Sequence, residues 1–191
     1  MKLSIERLTA QPSVHQYQAD ATWWATWTGA SGDDREVVTD WPRFRVEARL
    51  AGEDVRLAGQ VEAALEVECS RCLKRYRQAV QDSFEMLLEP IRDRQPPDPE
   101  GAEMLEKFGV YLGDELEIGW YRGKEIELDP LLAEVTALAM PFQPLCREDC
   151  AGLCPHCGID RNQASCDCRD QKPDSPFAAL AALRKDPDGS S

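Results

Sequence analysis

The chain has 191 residues, of which 42% are hydrophobic and 30% are charged, and its formal net charge is −13 at pH 7. This length suffices for one domain, or for a domain with a small appendage, that buries a sizeable core. The acidic balance argues against a protein that coats nucleic acid with its whole surface, because phosphate binding needs concentrated Lys and Arg, whereas a basic protein partner fits well.

The compartment follows from the apolar content of the chain. No apolar run approaches the length of a membrane span, and the N-terminal stretch MKLSIERLTA lacks the apolar core of a signal peptide. We therefore expect a cytoplasmic protein with no membrane partner, whose eight cysteines stay reduced. Nothing in the sequence indicates a small-molecule substrate.

Residues 1–91 form a predicted β-rich part of the chain. Three tryptophans, Trp23, Trp24 and Trp27, have high strand propensity and are followed by a turn signal rich in Gly and Asp. We predict that these tryptophans belong to a strand and pack on the core. A platform that stacks bases would need basic residues interleaved with the aromatic ones, and this stretch has none.

Apolar and polar residues alternate through residues 44–88, which predicts the strands of an antiparallel sheet. In Val61–Cys69 the apolar residues share one face and glutamates occupy the other. This strand ends in a Cys-x-x-Cys turn, formed by Cys69 and Cys72, that leads into the next strand. The tip of the predicted hairpin therefore carries two candidate metal ligands in an accessible position.

The same hairpin tip holds the densest basic cluster of this acidic chain. It consists of Arg71, Lys74, Arg75, Tyr76 and Arg77. The basic side chains could bind phosphate and the tyrosine could stack on a base, so the cluster is a candidate nucleic-acid contact. In the alternative interpretation, these residues pair with nearby glutamates or keep the hairpin soluble.

Residues 92–103 are rich in proline and acidic side chains and predict a flexible acidic linker. Residues 104–145 form a mixed segment that contains a predicted helix at 130–140, with Asp129 as its N-cap and Pro130 in its first turn. The apolar stripe of this helix, expected to press on the sheet, consists of Leu131, Leu132, Val135, Leu138 and Ala139.

Residues 146–170 form a predicted zinc-binding module with six cysteines in a short, turn-rich segment. The turn Cys154-Pro155-His156-Cys157-Gly158 can direct two thiolates to one ion, and its glycine permits a positive φ. We predict bound Zn²⁺, with two ions or at the least one. The favoured partition assigns one ion to Cys69, Cys72, Cys146 and Cys150, and the other to Cys154, Cys157, Cys166 and Cys168.

Spacing alone leaves alternatives open. A competing partition joins the two Cys-x-x-Cys turns, Cys69/Cys72 with Cys154/Cys157. Disulfides suit an oxidising compartment, and an iron–sulfur cluster also takes four thiolates. A catalytic zinc ion usually keeps one position open for water, whereas two sets of four cysteines are closed, so we expect no catalytic residues.

A C-terminal helix is predicted at residues 175–185, where Ser175-Pro176 is a typical start signal. It is too short to be stable alone, so we expect it to dock on its own domain or to fold onto a partner. The predicted fold class is α+β, with an antiparallel β-sheet, a packed helix and a C-terminal cysteine-rich module that resembles a zinc ribbon.

Four motifs together resemble the YceD-type large ribosomal RNA accumulation proteins of bacteria and chloroplasts. They are V-E-C-S-R-C-L, A-x-P-x-x-P-L-C, the segment C-x-G-L-C-P-x-C-G followed by C-D-C, and S-P-F-A-A-L-A-A-L. The resemblance covers the chain from about Gly59 to Lys185, while the N-terminal third matches poorly. The family's genes often neighbour the gene of a small zinc-ribbon ribosomal protein.

The resemblance implies a bacterial ribosome-biogenesis factor, not an enzyme, that supports synthesis, processing or stability of large-subunit rRNA. The implied partner is a large-subunit ribosomal protein, pre-rRNA or both. A basic protein partner also fits residues 85–129, which contain 13 acidic and five basic residues. Alternative hypotheses are a zinc-dependent hydrolase that processes rRNA and a zinc-ribbon transcription adaptor.

Overall fold

The computed structural model describes residues 1–28, 37–113 and 118–168. The chain divides into two compact units, Met1–Cys150 and residues 151–191. The C-terminal helix predicted at residues 175–185 lies outside the described residues. None of the helices in the described part is long and apolar enough to cross a membrane.

The first unit contains the helices and strands of the described chain. The strands are β1 Lys2–Ser4, β2 Ser13–Gln18, β3 Val37–Ala51, β4 Asp54–Glu68, β5 Arg75–Pro90, β6 Val110–Leu112, β7 Ile118–Tyr121 and β8 Glu125–Glu127. The α-helices are α1 Ala21–Thr28, α2 Pro99–Phe108 and α3 Asp129–Leu138, and a short 3-10 helix covers Ile5–Arg7.

The main sheet has the strand order β2-β3-β4-β5-β7-β6. Its pairs are antiparallel except β5 with β7, which is parallel, and β1 pairs with β8 in a separate antiparallel ribbon. The alternation in residues 44–88 produces the long strands β3, β4 and β5, whose inward residues, such as Phe44, Val61 and Leu88, are buried. The predicted α+β fold class with an antiparallel sheet is confirmed.

The tryptophan stretch is a helix, and the predicted strand there is wrong. The Asp20 side chain accepts the backbone N–H of Trp23 at 2.8 Å, and its carbonyl accepts the N–H of Trp24 at 2.9 Å, so Asp20 starts α1. Trp23 and Trp24 are buried, and the Trp23 ring lies 5.6 Å from that of Phe44. The tryptophans therefore pack on the core, but from a helix.

The predicted linker at residues 92–103 also needs correction, because α2 begins at Pro99. The Asp98 side chain caps the helix by accepting the N–H of Gly101 at 2.6 Å. The helix ends at Gly109, which has a φ of 71°. Leu105 of this helix is buried in a small apolar cluster with Ile91 and Tyr111.

Helix α3 runs from Asp129 to Leu138, close to the predicted range. Its inner residues are buried, but Leu138, the last helical residue, is 62% exposed, so it does not belong to the packed stripe. Asp129 is the first helical residue and makes no cap; its carboxylate instead accepts the indole N–H of Trp23 at 2.6 Å. This buried hydrogen bond fixes α1 against α3.

Candidate metal centres

The hairpin between β4 and β5 positions the first two cysteines. The N–H of Cys69 donates to the carbonyl of Lys74 at 3.0 Å, and the N–H of Leu73 donates to the carbonyl of Cys69 at 2.9 Å. Leu73 adopts a positive φ of 59°, the conformation that glycine usually supplies in such turns. The turn places Cys69 and Cys72 on the buried side of the tip.

The segment after α3 brings two more cysteines to this tip. Ser70 donates its backbone N–H to the carbonyl of Pro144 at 2.8 Å, which joins the segment to the hairpin. The sulfur of Cys69 then lies 3.8 Å from that of Cys150, and the sulfur of Cys72 lies 3.7 Å from that of Cys146. All four sulfurs lie within 4.8 Å of one another.

These distances fit a single tetrahedral ion. Four thiolates at about 2.3 Å from an ion such as zinc are separated from one another by about 3.8 Å. A disulfide would require sulfurs about 2.05 Å apart, and all eight cysteines are free. A cluster of several irons would hold its ligands farther apart than a single ion does. The first set of cysteines can therefore hold one metal ion.

The pKa values of the cysteines in the first set are consistent with binding of a cation. Burial raises the pKa of Cys69, but backbone N–H groups of Cys146, Cys72 and Arg71 outweigh burial and lower the pKa to about 6. Burial and the neighbouring sulfurs of Cys72, Cys150 and Cys69 raise the pKa of Cys146 to about 12. A cation between the sulfurs would stabilise all four as thiolates, and its binding would release protons.

The second set lies in the second unit. The sulfurs of Cys154, Cys157, Cys166 and Cys168 lie within 4.8 Å of one another. The Cys154 turn is closed by hydrogen bonds from Cys154 N–H to Ile159 (2.8 Å) and from Gly158 N–H to the Cys154 carbonyl (2.9 Å). Gly158 takes a φ of 72°, as the sequence suggested.

The charge around the second set is similar to that around the first. Backbone N–H groups of Cys157 and His156 lower the pKa of Cys154 to about 6. The Arg161 guanidinium lies 3.8 Å from the same sulfur. The neighbouring Cys157 sulfur, followed by burial, raises the pKa of Cys168 to about 12. The two sets are those of the favoured partition; metal binding by them stays a prediction.

The two sets differ in exposure, which predicts different rates of metal loss. In the first set Cys69 is fully buried and Cys72 is 8% exposed, whereas Cys157 of the second set is exposed. With excess chelator we expect two phases of release, the second set losing its ion about tenfold faster because less structure must open. Measuring release from wild type and from Cys154→Ser/Cys157→Ser tests this: the variant should retain only the slow phase, and a retained fast phase would contradict it.

The basic cluster at the hairpin tip is largely engaged by neighbours. Arg75 pairs with Glu66 at 3.2 Å, Arg77 pairs with Asp40, and the Tyr76 hydroxyl donates to Gln78 at 2.8 Å. Lys74 is exposed. These ion pairs are those of the alternative interpretation, and nucleic-acid contact by the cluster stays a prediction.

Arg71 has a role that the sequence did not reveal. Its guanidinium donates to the carbonyl of Cys150 at 2.9 Å, across 79 positions of the chain. The hydrogen bond fastens the segment that carries Cys150 to the hairpin tip, so Arg71 supports the geometry of the first set. No local pattern could have indicated this contact, because the two residues meet only in the folded chain.

Comparison with known proteins finds a family match over most of the chain. The model of the family described as "Large ribosomal RNA subunit accumulation protein YceD" matches residues 57–184. This range includes both cysteine sets and α3. No solved structure matches the chain significantly.

Curated relatives match over part of their length. A protein of Mycobacterium tuberculosis, named as uncharacterized, is 35% identical over 116 residues, which cover 61% of this chain and 48% of the relative. The Arabidopsis thaliana protein named large ribosomal RNA subunit accumulation protein YCED homolog 1, chloroplastic, is 25% identical over 143 residues, covering 69% of this chain and 44% of the relative. The chain thus spans about half the length of the curated relatives it matches. With the family model matching well over half of its residues, the chain belongs to the YceD family of large ribosomal RNA subunit accumulation proteins.

Proposed function

We propose that this protein is a ribosome-biogenesis factor that supports the synthesis, processing or stability of large-subunit rRNA. It acts by binding a basic large-subunit ribosomal protein, rRNA or both, and two structural Zn²⁺ ions maintain its fold. The single observation that carries the proposal is the family match over residues 57–184, together with the name that the family bears.

The chemistry of the cysteine sets supports a binding role over catalysis. Each set offers four sulfurs to one ion, which leaves no open position for water or substrate. Among the described residues, these two sets are the only groups of three or more metal-ligating side chains at such close range. A zinc hydrolase would need an open position and a neighbouring general base, and neither set supplies them.

Deletion of the gene tests the proposal. In a bacterial strain that lacks the protein, we expect large-subunit rRNA to fall relative to small-subunit rRNA, and particles of the large subunit to decrease in sucrose gradients. Wild type and Ser70→Ala should restore both, whereas Cys69→Ser/Cys72→Ser should not. An unchanged ratio of the two rRNAs after deletion would overturn the proposed function.

A further inference from the structure

Among the residues that the structure describes, one edge of strand β5 has no strand neighbour over most of its length, and we call it the free edge. Strand β5 pairs with β4 along Val55–Glu68, but β7 contacts only its last residues, Leu87–Pro90. Within the part of the chain that the structure describes, residues 75–86 therefore have a strand neighbour on one side only. This edge contains no proline, and its register with β4 shows no bulge. Proline and bulges are devices that commonly protect sheet edges.

Two local contacts show which backbone groups face the free edge. The N–H of Ser83 donates to the Asp82 side chain at 2.8 Å, and the carbonyl of Ala79 accepts the Gln78 side-chain amide at 2.7 Å. A group that binds such a side chain is not part of the ladder to β4. Because orientation alternates along a strand, the odd-numbered residues around Ser83 present their N–H and C=O groups outward.

The free edge borders a groove that can receive side chains. The groove is lined by residues 82–87 of β5, by Leu131, Val135 and Leu138 of α3, and by neighbouring residues of β3 and β4. Leu138 is 62% exposed there, and Phe84 is half-buried. A free edge beside a helix with apolar side chains is the arrangement by which peptide-binding domains add an extended segment as a further strand.

The charged side chains around the groove indicate which kind of segment could bind there. Of the charged residues that line the groove, Asp82 and Glu85 belong to β5 itself, whereas Glu47, Arg49 and Arg56 belong to β3 and β4. The chain as a whole carries −13. The arginines of the free edge, Arg75 and Arg77, lie at its other end and pair with Glu66 and Asp40. An added strand beside residues 82–87 would thus meet carboxylates first, so basic side chains are favoured. RNA fits poorly, because it has no backbone that could continue the ladder and the α3 side of the groove is apolar.

We propose that the β5 edge and α3 form a docking site for an extended basic segment of a partner protein, added as a strand with apolar side chains directed to Leu138. The inference rests on the proposed function and narrows its partner to a basic ribosomal protein. About five or six residues of the segment would suffice for such pairing.

In-cell photo-crosslinking tests the proposal with the full chain. With p-benzoylphenylalanine at position 138, we expect a covalent product with a large-subunit ribosomal protein, and mass spectrometry should place the crosslink in a peptide of net positive charge. Position 14 is the matched control, because Val14 is 46% exposed but lies on β2, away from the groove. It should give no such product.

Ser83→Pro makes the test specific for strand addition. Proline removes the outward N–H but leaves the ladder to β4 intact, so the thermal melt should change little while the crosslinked product falls at least about tenfold. Three outcomes would overturn the docking site: a crosslink to RNA or to a second copy of the chain, the absence of any crosslink, or a crosslink that Ser83→Pro does not reduce. If the Ser83→Pro variant restored rRNA in the deletion strain, the docking site would be rejected, while the proposed function would be retained.

Discussion

Serine at positions 154 and 157 should abolish the folded structure of residues 151–168. This segment has almost no core of its own, since Gly152 and Cys154 are its two buried residues. Segments this short fold only when a metal or disulfides hold them, and a structural zinc ion contributes on the order of 10 kcal/mol to folding. Among residues 151–168, no other interaction could supply a comparable free energy of folding once the ion is lost.

Two measurements on Cys154→Ser/Cys157→Ser check this expectation. Elemental mass spectrometry should find one zinc ion per chain instead of two, and amide hydrogen exchange in residues 151–168 should become unprotected. His156→Ser is the matched control, because His156 lies in the same turn and is exposed but is not in the sulfur set. Protection that persisted in the double variant would show that the segment folds without metal.

Local patterns predicted the parts of the fold that local physics determines. The period of two in β3, β4 and β5 indicated the sheet, because one-sided burial of a strand leaves a direct trace in the sequence. The tryptophan stretch was predicted wrongly because the strand propensity of Trp reflects packing on a half-buried surface and not a preference of the backbone. A helix that starts at Asp20 buries the tryptophans equally well. The parallel pairing of β5 with β7 depends on a crossover, which no local pattern records.

The candidate site shows the same division. Turn spacing favoured the two cysteine sets, since Cys-x-x-Cys turns direct both sulfurs to one point. The sequence did not indicate the contact of Arg71 with Cys150 or the free edge of β5. Both depend on which distant segments become neighbours in the folded chain. The sequence could not show that Leu138 is exposed, because it falls at the same helical spacing as the buried residues of α3. Helical spacing does not indicate where the helix extends beyond the sheet that covers it.

Loss of the first set should destabilise the larger unit, although that unit has its own core. An ion bound by the first set would join the tip of the β4–β5 hairpin, through Cys69 and Cys72, to the chain after α3, through Cys146 and Cys150. A structural zinc ion that supplies on the order of 10 kcal/mol is comparable with the whole stability of a small domain, about 5–15 kcal/mol. We therefore expect Cys69→Ser/Cys72→Ser to remove most of the margin against unfolding.

The expected readouts are the loss of one zinc ion per chain, a large fall in melting temperature, and loss of exchange protection at residues 144–150 before the centre of the sheet. Ser70→Ala is the control, because Ser70 holds Pro144 through its backbone N–H, which alanine keeps. Complete chelation of the wild type removes this ion together with that of the second set, so it should lower the melting temperature at least as much as the variant does. An unchanged melt after verified loss of metal would show that packing and the hydrogen bonds of Ser70 and Arg71 hold the chain after α3 on the hairpin without an ion.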